Sequence, residues 1–301
     1  MNRTINFMGV RNIAFALTVV LTLLSLGSLF IKGLNLGLDF TGGTQIELGY
    51  EQPVDLGKVR QQLSEAGFAG AVVQSFGATT DVVVRMQGDD PDLGSKVATA
   101  LRQSGDALEV KKVEFVGPQV GEELRDQGGL GMLLALGGIM LYLAFRFQWK
   151  FSMGAMLSLV HDVIVTLGFL AFFQVTFDLT VLAALLAIIG YSLNDTIVVF
   201  DRVRENFRVL RKTSLLDNIN ISTTQTLLRT LATSISTLLA VGALLLFAGD
   251  NLFGFSIALF IGVLVGTYSS VYIANVVLVW LDLTVEDLIP PVVAEEVDDR
   301  P

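Results

Sequence analysis

The chain has 301 residues, with 20 Lys+Arg against 29 Asp+Glu, one His, no Cys and a formal charge of -9. Apolar residues make up 52%, charged residues only 16%, and the mean hydropathy is +0.64, which excludes an ordinary soluble domain and points to an integral membrane protein with a soluble insert. The Cys and His counts leave no disulfide framework, thiol nucleophile or Cys/His zinc site, no Gly-Lys-Ser/Thr phosphate loop occurs, and an acidic chain without a long basic run argues against nucleic acid.

Residues 1–11 read as a short cytoplasmic N-terminus. Between Arg11 and Lys32 lie 20 uncharged residues, enough to cross a bilayer as a helix over 12–32. A cleavable signal peptide is the alternative, but its apolar region is shorter.

Residues 33–126 differ in kind, with 8 basic and 15 acidic residues and no long apolar run. Thr44–Tyr50 alternates, with Ile46, Leu48 and Tyr50 on one face. Asp55 is a candidate cap for a helix carrying Leu56, Val59 and Leu63 and ending at Gly67. Short β-branched runs follow at Ala71–Phe76 and Val82–Met86. Asp90-Pro91 opens a second helix with Leu93, Val97 and Leu101 on one stripe, and a last strand covers about Leu108–Val116. The order β-α-β-β-α-β predicts a ferredoxin-like α+β domain inserted between the first and second membrane helices.

From Gln127 to 281 the pattern predicts five more spans, at 127–145, 151–173, 179–200, 229–248 and 254–280. The fold class is therefore an α-helical polytopic membrane protein with six transmembrane helices. Arg3 and Arg11 precede the first span, Arg146 and Lys150 separate the second from the third, and Arg202, Arg204, Arg208, Arg211 and Lys212 follow the fourth. With six spans these basic segments share one side, which puts both termini in the cytoplasm and the insert outside, in the periplasm or its equivalent. Residues 282–301 form an acidic stretch with Pro290-Pro291, read as a solvated cytoplasmic tail.

Ionisable groups inside membrane spans are costly and point to function. Three places qualify: His161-Asp162 in the third span, Asp195 in the fourth and Arg229 at the start of the fifth. Asp195 lies six residues before Asp201, taken as the end of its span, so it sits about 9 Å below the boundary. Arg229 starts from the same side on an antiparallel neighbour. The spacing suggests a pair, direct or through water, in which protonation of Asp195 releases Arg229 and shifts one helix against another. The plainer alternative has Arg229 snorkelling to the headgroups and Asp195 making a structural hydrogen bond. Asn194 and Thr196 add polar groups beside Asp195. His161 reads as a relay or, more simply, as a hydrogen-bonding helix contact, and Asp162 is open between the two. Gly128, Gly129, Gly131, Gly137 and Gly138 crowd the second span, and Gly262 and Gly266 form a small-xxx-small pair in the last; such faces permit close helix packing, internal or with a partner.

Gly37-Leu38-Asp39-Phe40-Thr41-Gly42-Gly43-Thr44 resembles the signature after the first helix of the SecD/SecF family of bacterial protein-translocase subunits. Phe115-Val116-Gly117-Pro118-Gln119-Val120-Gly121 resembles the segment leading into that family's second helix. The run from Tyr191 through Asn194-Asp195-Thr196 to Asn206 is similar to its fourth-helix motif, in the SecF rather than the SecD pattern, and His161-Asp162 fits the same branch. The resemblance covers about residues 8–285. It implies membership of the resistance-nodulation-division superfamily, location in the bacterial cytoplasmic membrane, and partnership with SecD, the SecYEG channel and an exported unfolded polypeptide. It also implies a late export step driven by the proton-motive force, with Asp195 as the proton-responsive carboxylate, Arg229 as its basic partner and protons as the coupling ion. Asp39, Phe40, Thr41, Gly42 and Gly43 carry the motif at the membrane exit. No enzyme activity, cofactor or metal is expected. An efflux half-transporter and a non-transporting scaffold remain as rival readings.

Overall fold

The computed structural model describes residues 4–284 and 287, except 77, 89, 91, 104–106, 211 and 212. Arg3, Pro91, Arg211, Lys212 and most of the acidic tail, Pro290-Pro291 included, lie outside the described residues.

A 3-10 turn at Met8–Val10 leads into α1 (Arg11–Lys32). A two-residue strand β1 (Asn35–Leu36) and the one-turn helix α2 (Leu38–Thr41) lead into the insert: β2 (Gly43–Tyr50), α3 (Leu56–Glu65), β3 (Val72–Phe76), β4 (Ala78–Met86), α4 (Leu93–Gln103) and β5 (Leu108–Val116). The four longer strands form an antiparallel sheet in the order β3-β4-β2-β5. Alternation in β2 buries Ile46, Leu48 and Tyr50 on the face covered by Val59 and Leu63 of α3 and Val97 and Leu101 of α4. Local chemistry sets the ends of α3. Asp55 Oδ1 accepts from the Gly57 N–H at 2.7 Å, and Gly67, at φ 91°, lets the Phe68 N–H reach Leu63 O at 2.8 Å, closing a Schellman-type cap.

Five further helices complete the chain: α5 (Pro118–Arg146), α6 (Trp149–Phe173), α7 (Leu179–Val209), α8 (Leu215–Phe247) and a last helix broken into α9 (Phe253–Val271) and α10 (Ile273–Trp280). A two-residue strand β6 (Thr176–Phe177) before α7 pairs in parallel with β1. Among the described residues six helical stretches are long and apolar enough to cross a membrane.

The helices overrun the spans expected from hydropathy. α5 begins at Pro118 rather than 127, α7 runs past Asp201 to Val209, and α8 begins at Leu215 rather than 229. Charges end an apolar window but not a backbone hydrogen-bond ladder. Pro118 suits a first helical position, and Ser214 Oγ caps α8 by accepting from the Asp217 N–H. The expected solvated tail also starts later, since Leu283 is buried in the helix core and Lys150 Nζ donates to Asp282 O and to Asp287 Oδ2.

α6, α7 and α9 form the interior of the bundle, while α1, α5 and α8 lie largely exposed around it. Tight packing falls where small residues meet. A Cβ added at Gly262 would overlap Ile188, and one at Gly266 would lie 3.0 Å from Ser192 Cβ. In α5, by contrast, Gly129, Gly131, Gly137 and Gly138 face open space, and only Gly128 meets a neighbour within the expected glycine-rich run, Leu182. Gly168 of α6 lies against the backbone and side chain of Ser25 in α1, where any Cβ would overlap. Gly168→Leu is therefore expected to push α1 off α6 and destabilise the detergent-solubilised chain by roughly 1–3 kcal/mol, read as a lower midpoint of thermal unfolding. An unchanged midpoint would mean that α1 does not pack there.

Candidate functional site in the membrane helices

Asp195 lies midway along α7 and is 3% exposed. Its Oδ2 is buried and has no hydrogen-bond partner among the described residues. α7 and α8 run antiparallel, pinned by Tyr191 Oη donating to Ser234 Oγ at 3.2 Å and by Asn206 Nδ2 donating to Ser222 Oγ at 2.8 Å. These two bonds place Arg229 within about one turn of the level of Asp195. Arg229 is exposed, and no ion pair or hydrogen bond joins it to Asp195. Of the two forms of pairing the spacing suggested, direct contact is not made. Thr196 is buried beside Asp195, whereas Asn194 faces outward.

A second polar centre lies deeper in the bundle. Asp162 of α6 is 0% exposed. Its Oδ2 accepts from Ser192 Oγ of α7 at 2.5 Å and from Ser269 Oγ of α9 at 2.7 Å, and its Oδ1 lies 3.1 Å from His161 Nδ1. His161 Nε2 is buried without a hydrogen-bond partner among the described residues. His161-Asp162 and Asp195 therefore belong to separate clusters joined along α7, where Ser192 stands one turn from Asp195. Ser192 and Ser269 were not singled out from sequence. The usable signal was a hydroxyl one turn from an intramembrane acid, which in hydrocarbon must find a partner on another helix.

The motif at the membrane exit makes a joint. Asp39 Oδ2 accepts from the Leu179 N–H at 3.0 Å, so it caps α7 together with Asp178, whose Oδ1 accepts from the Val181 N–H at 2.9 Å. Phe40 is buried against Phe177, with ring centroids 5.7 Å apart. Thr41 Oγ1 donates to Gly37 O at 3.1 Å. Gly42 and Gly43 take φ 64° and 112°, a left-handed region that a side chain rarely enters. A Cβ on Gly42 would stand 2.7 Å from Pro118 Cα, so the strand that opens the insert passes directly against the helix that follows it.

No group of three or more His, Cys, Asp or Glu residues gathers into a metal-binding set among the described residues.

Comparison with known proteins gives this geometry a family. The description "Protein export membrane protein SecD/SecF, C-terminal" matches residues 96–284, and "SecD/SecF GG Motif" matches residues 27–54. The chain belongs to the SecD/SecF family. Within that family it stands on the SecF side. It is 73% identical over 300 residues to the protein translocase subunit SecF of Pseudomonas aeruginosa, covering 99% of this chain and 98% of that one. It is 46% identical over 299 residues to the SecF of Vibrio alginolyticus, covering 98% and 95%. Among solved structures, SecDF of Thermus thermophilus, a translocon-associated membrane protein, superposes with a TM-score of 0.86 at 38% identity. The match takes in 94% of this chain but 39% of the longer SecDF chain. Residues 27–54 include the adjacent pair Gly42-Gly43 at the joint just described.

Proposed function

We propose that this chain is the SecF-type subunit of a proton-driven export complex, working with a SecD partner beside the SecYEG channel. It assists a late stage of polypeptide export across the bacterial cytoplasmic membrane. Asp195 carries the proton and Arg229 biases its charge. The observation that carries this reading is the site itself: a buried carboxylate in the middle of a membrane helix, one oxygen without a partner, level with an exposed arginine on the next helix. Such a group is expensive to keep in a bilayer, which marks it as functional by default.

The insert, residues 33–126 in outline, is a ferredoxin-like domain on the periplasmic side. Its strand order and two covering helices support that fold. Both termini are cytoplasmic. In support, Arg146 donates to Asp201 at 2.7 Å, and the Met8 N–H donates to Asn220 Oδ1 at 2.9 Å. These contacts gather the basic helix ends and the N-terminal segment at one end of the bundle, as the excess of positive charge on the cytoplasmic face requires.

The test uses inverted membrane vesicles containing the chain, its SecD partner and the channel. Completion of export of a stalled polypeptide is followed with a proton gradient and after an ionophore collapses it. The gradient should speed completion only where the chain is present. Equal rates with and without the gradient would leave the chain a scaffold.

A further inference from the structure

We propose that Asp162 is the positioning residue of the Asp195 site, a buried latch that holds α7 at one rotation against α6 and α9. This rests on the proton-coupling role proposed above for Asp195. A single oxygen, Asp162 Oδ2, accepts from hydroxyls on two other helices, Ser192 on α7 and Ser269 on α9. Two helix-to-helix bonds therefore converge on one fully buried atom at the centre of three packed helices. Ser192 is also where α7 and α9 approach closely, opposite Gly266, and the next contact along the seam is Ile188 against Gly262. One turn further along α7 stands Asp195. A rotation of α7 that changed the direction Asp195 faces would drag Ser192 off both Asp162 and Gly266. The latch needs an acceptor oxygen at Asp162, and that requirement separates it from a second proton carrier, which needs an acid.

Two readouts test it in the assembled complex. The first is stimulation of export by the gradient, at matched amounts of complex. Asp162→Ala and the double variant Ser192→Ala with Ser269→Ala should each lose most of the stimulation. Asp162→Asn, which keeps an oxygen for the two hydroxyls, should restore most of it. Loss in Asp162→Asn equal to that in Asp162→Ala overturns the latch, as does full stimulation in the serine double variant. Should Asp162→Ala fail to assemble, the serine double variant decides alone.

The second readout does not depend on coupling. The chain has no cysteine, so a single thiol can be placed by Asn194→Cys, on the exposed side of α7, or by Thr196→Cys, on the buried side. The ratio of their modification rates by a thiol reagent reports the rotation of α7. Breaking the latch should lower that ratio by about tenfold, the scale of losing a buried hydrogen bond, and an unchanged ratio overturns it. If the wild-type complex shows no gradient effect, the proton-coupling reading fails and the labelling ratio still decides the latch.

Discussion

Asp195→Asn should leave the complex assembled and abolish the acceleration of export by a proton gradient, reducing the rate to that seen without one. Asparagine has almost the same shape, so the packing of α7 against its neighbours is kept. It also removes the cost of a carboxylate buried among apolar helices, so the variant should unfold no more easily than the wild type. What disappears is the ability to take up and release a proton. Arg229→Ala should act in the same direction but less completely, weakening the gradient effect by roughly tenfold, within the range of coupling between distinct sites. The arginine stands on the next helix within about one turn of the carboxylate's level and makes no bond to it. The double variant should be no worse than Asp195→Asn alone. Vesicles in which Asp195→Asn still responds fully to the gradient would show that the buried acid is a packing feature and that any coupling lies elsewhere.

Gly43→Val should prevent the chain from accumulating in the membrane as a folded protein. The residue sits at φ 112°, and a Cβ there would overlap the carbonyl oxygen of Met86 at the end of β4. Neither conflict can be relieved by turning a side chain, because one is the residue's own backbone conformation and the other is a backbone carbonyl at the end of the neighbouring strand. Gly43 also begins the pairing of β2 with β5, opposite Val116. Forcing it into an ordinary strand conformation would shift that register, and a shift by one residue turns Ile46 and Leu48 out of the core. The measure is the amount of full-length chain in the membrane and its resistance to protease added from the side of the insert. Wild-type levels and wild-type resistance would mean that the joint tolerates a side chain.

Much of this architecture can be read from residue order, because hydropathy and charge report where a helix meets lipid. The six spans and the strand faces of the insert follow from such patterns. Helix ends do not, since a cap such as Ser214 and a run of polar residues can carry α8 well beyond its apolar part. The break between α9 and α10 is invisible for another reason. Neither Pro nor Gly marks it; instead Asn275 Nδ2 donates to the carbonyls of Ser270 and Val271, at 3.2 and 2.9 Å, and satisfies backbone groups on the turn before it. Within the site the ionisable residues announce themselves by their rarity in apolar helices. Their partners Ser192 and Ser269 do not, because serine is common in such helices and only packing shows which faces meet. The outward orientation of Arg229 and the missing direct bond to Asp195 are likewise properties of rotation about helix axes, which spacing alone leaves free.

The joint at the base of the insert also sets how force travels through the molecule. Chain enters the insert at Gly42-Gly43 and leaves at Gly117-Pro118, side by side, so the neck is one pivot rather than two separate stalks. A second tie runs from Arg85 of β4, whose guanidinium donates to Leu36 O at 3.2 Å and to Thr176 Oγ1 at 2.9 Å. The first tie ends at the start of α5, and the second ends two residues before Asp178, which caps the first turn of α7. That helix is unbroken for 31 residues, a rod about 46 Å long. The insert is thus tied to the ends of two stiff helices, α5 through the chain itself and α7 through Arg85, and the buried acid lies partway along the second.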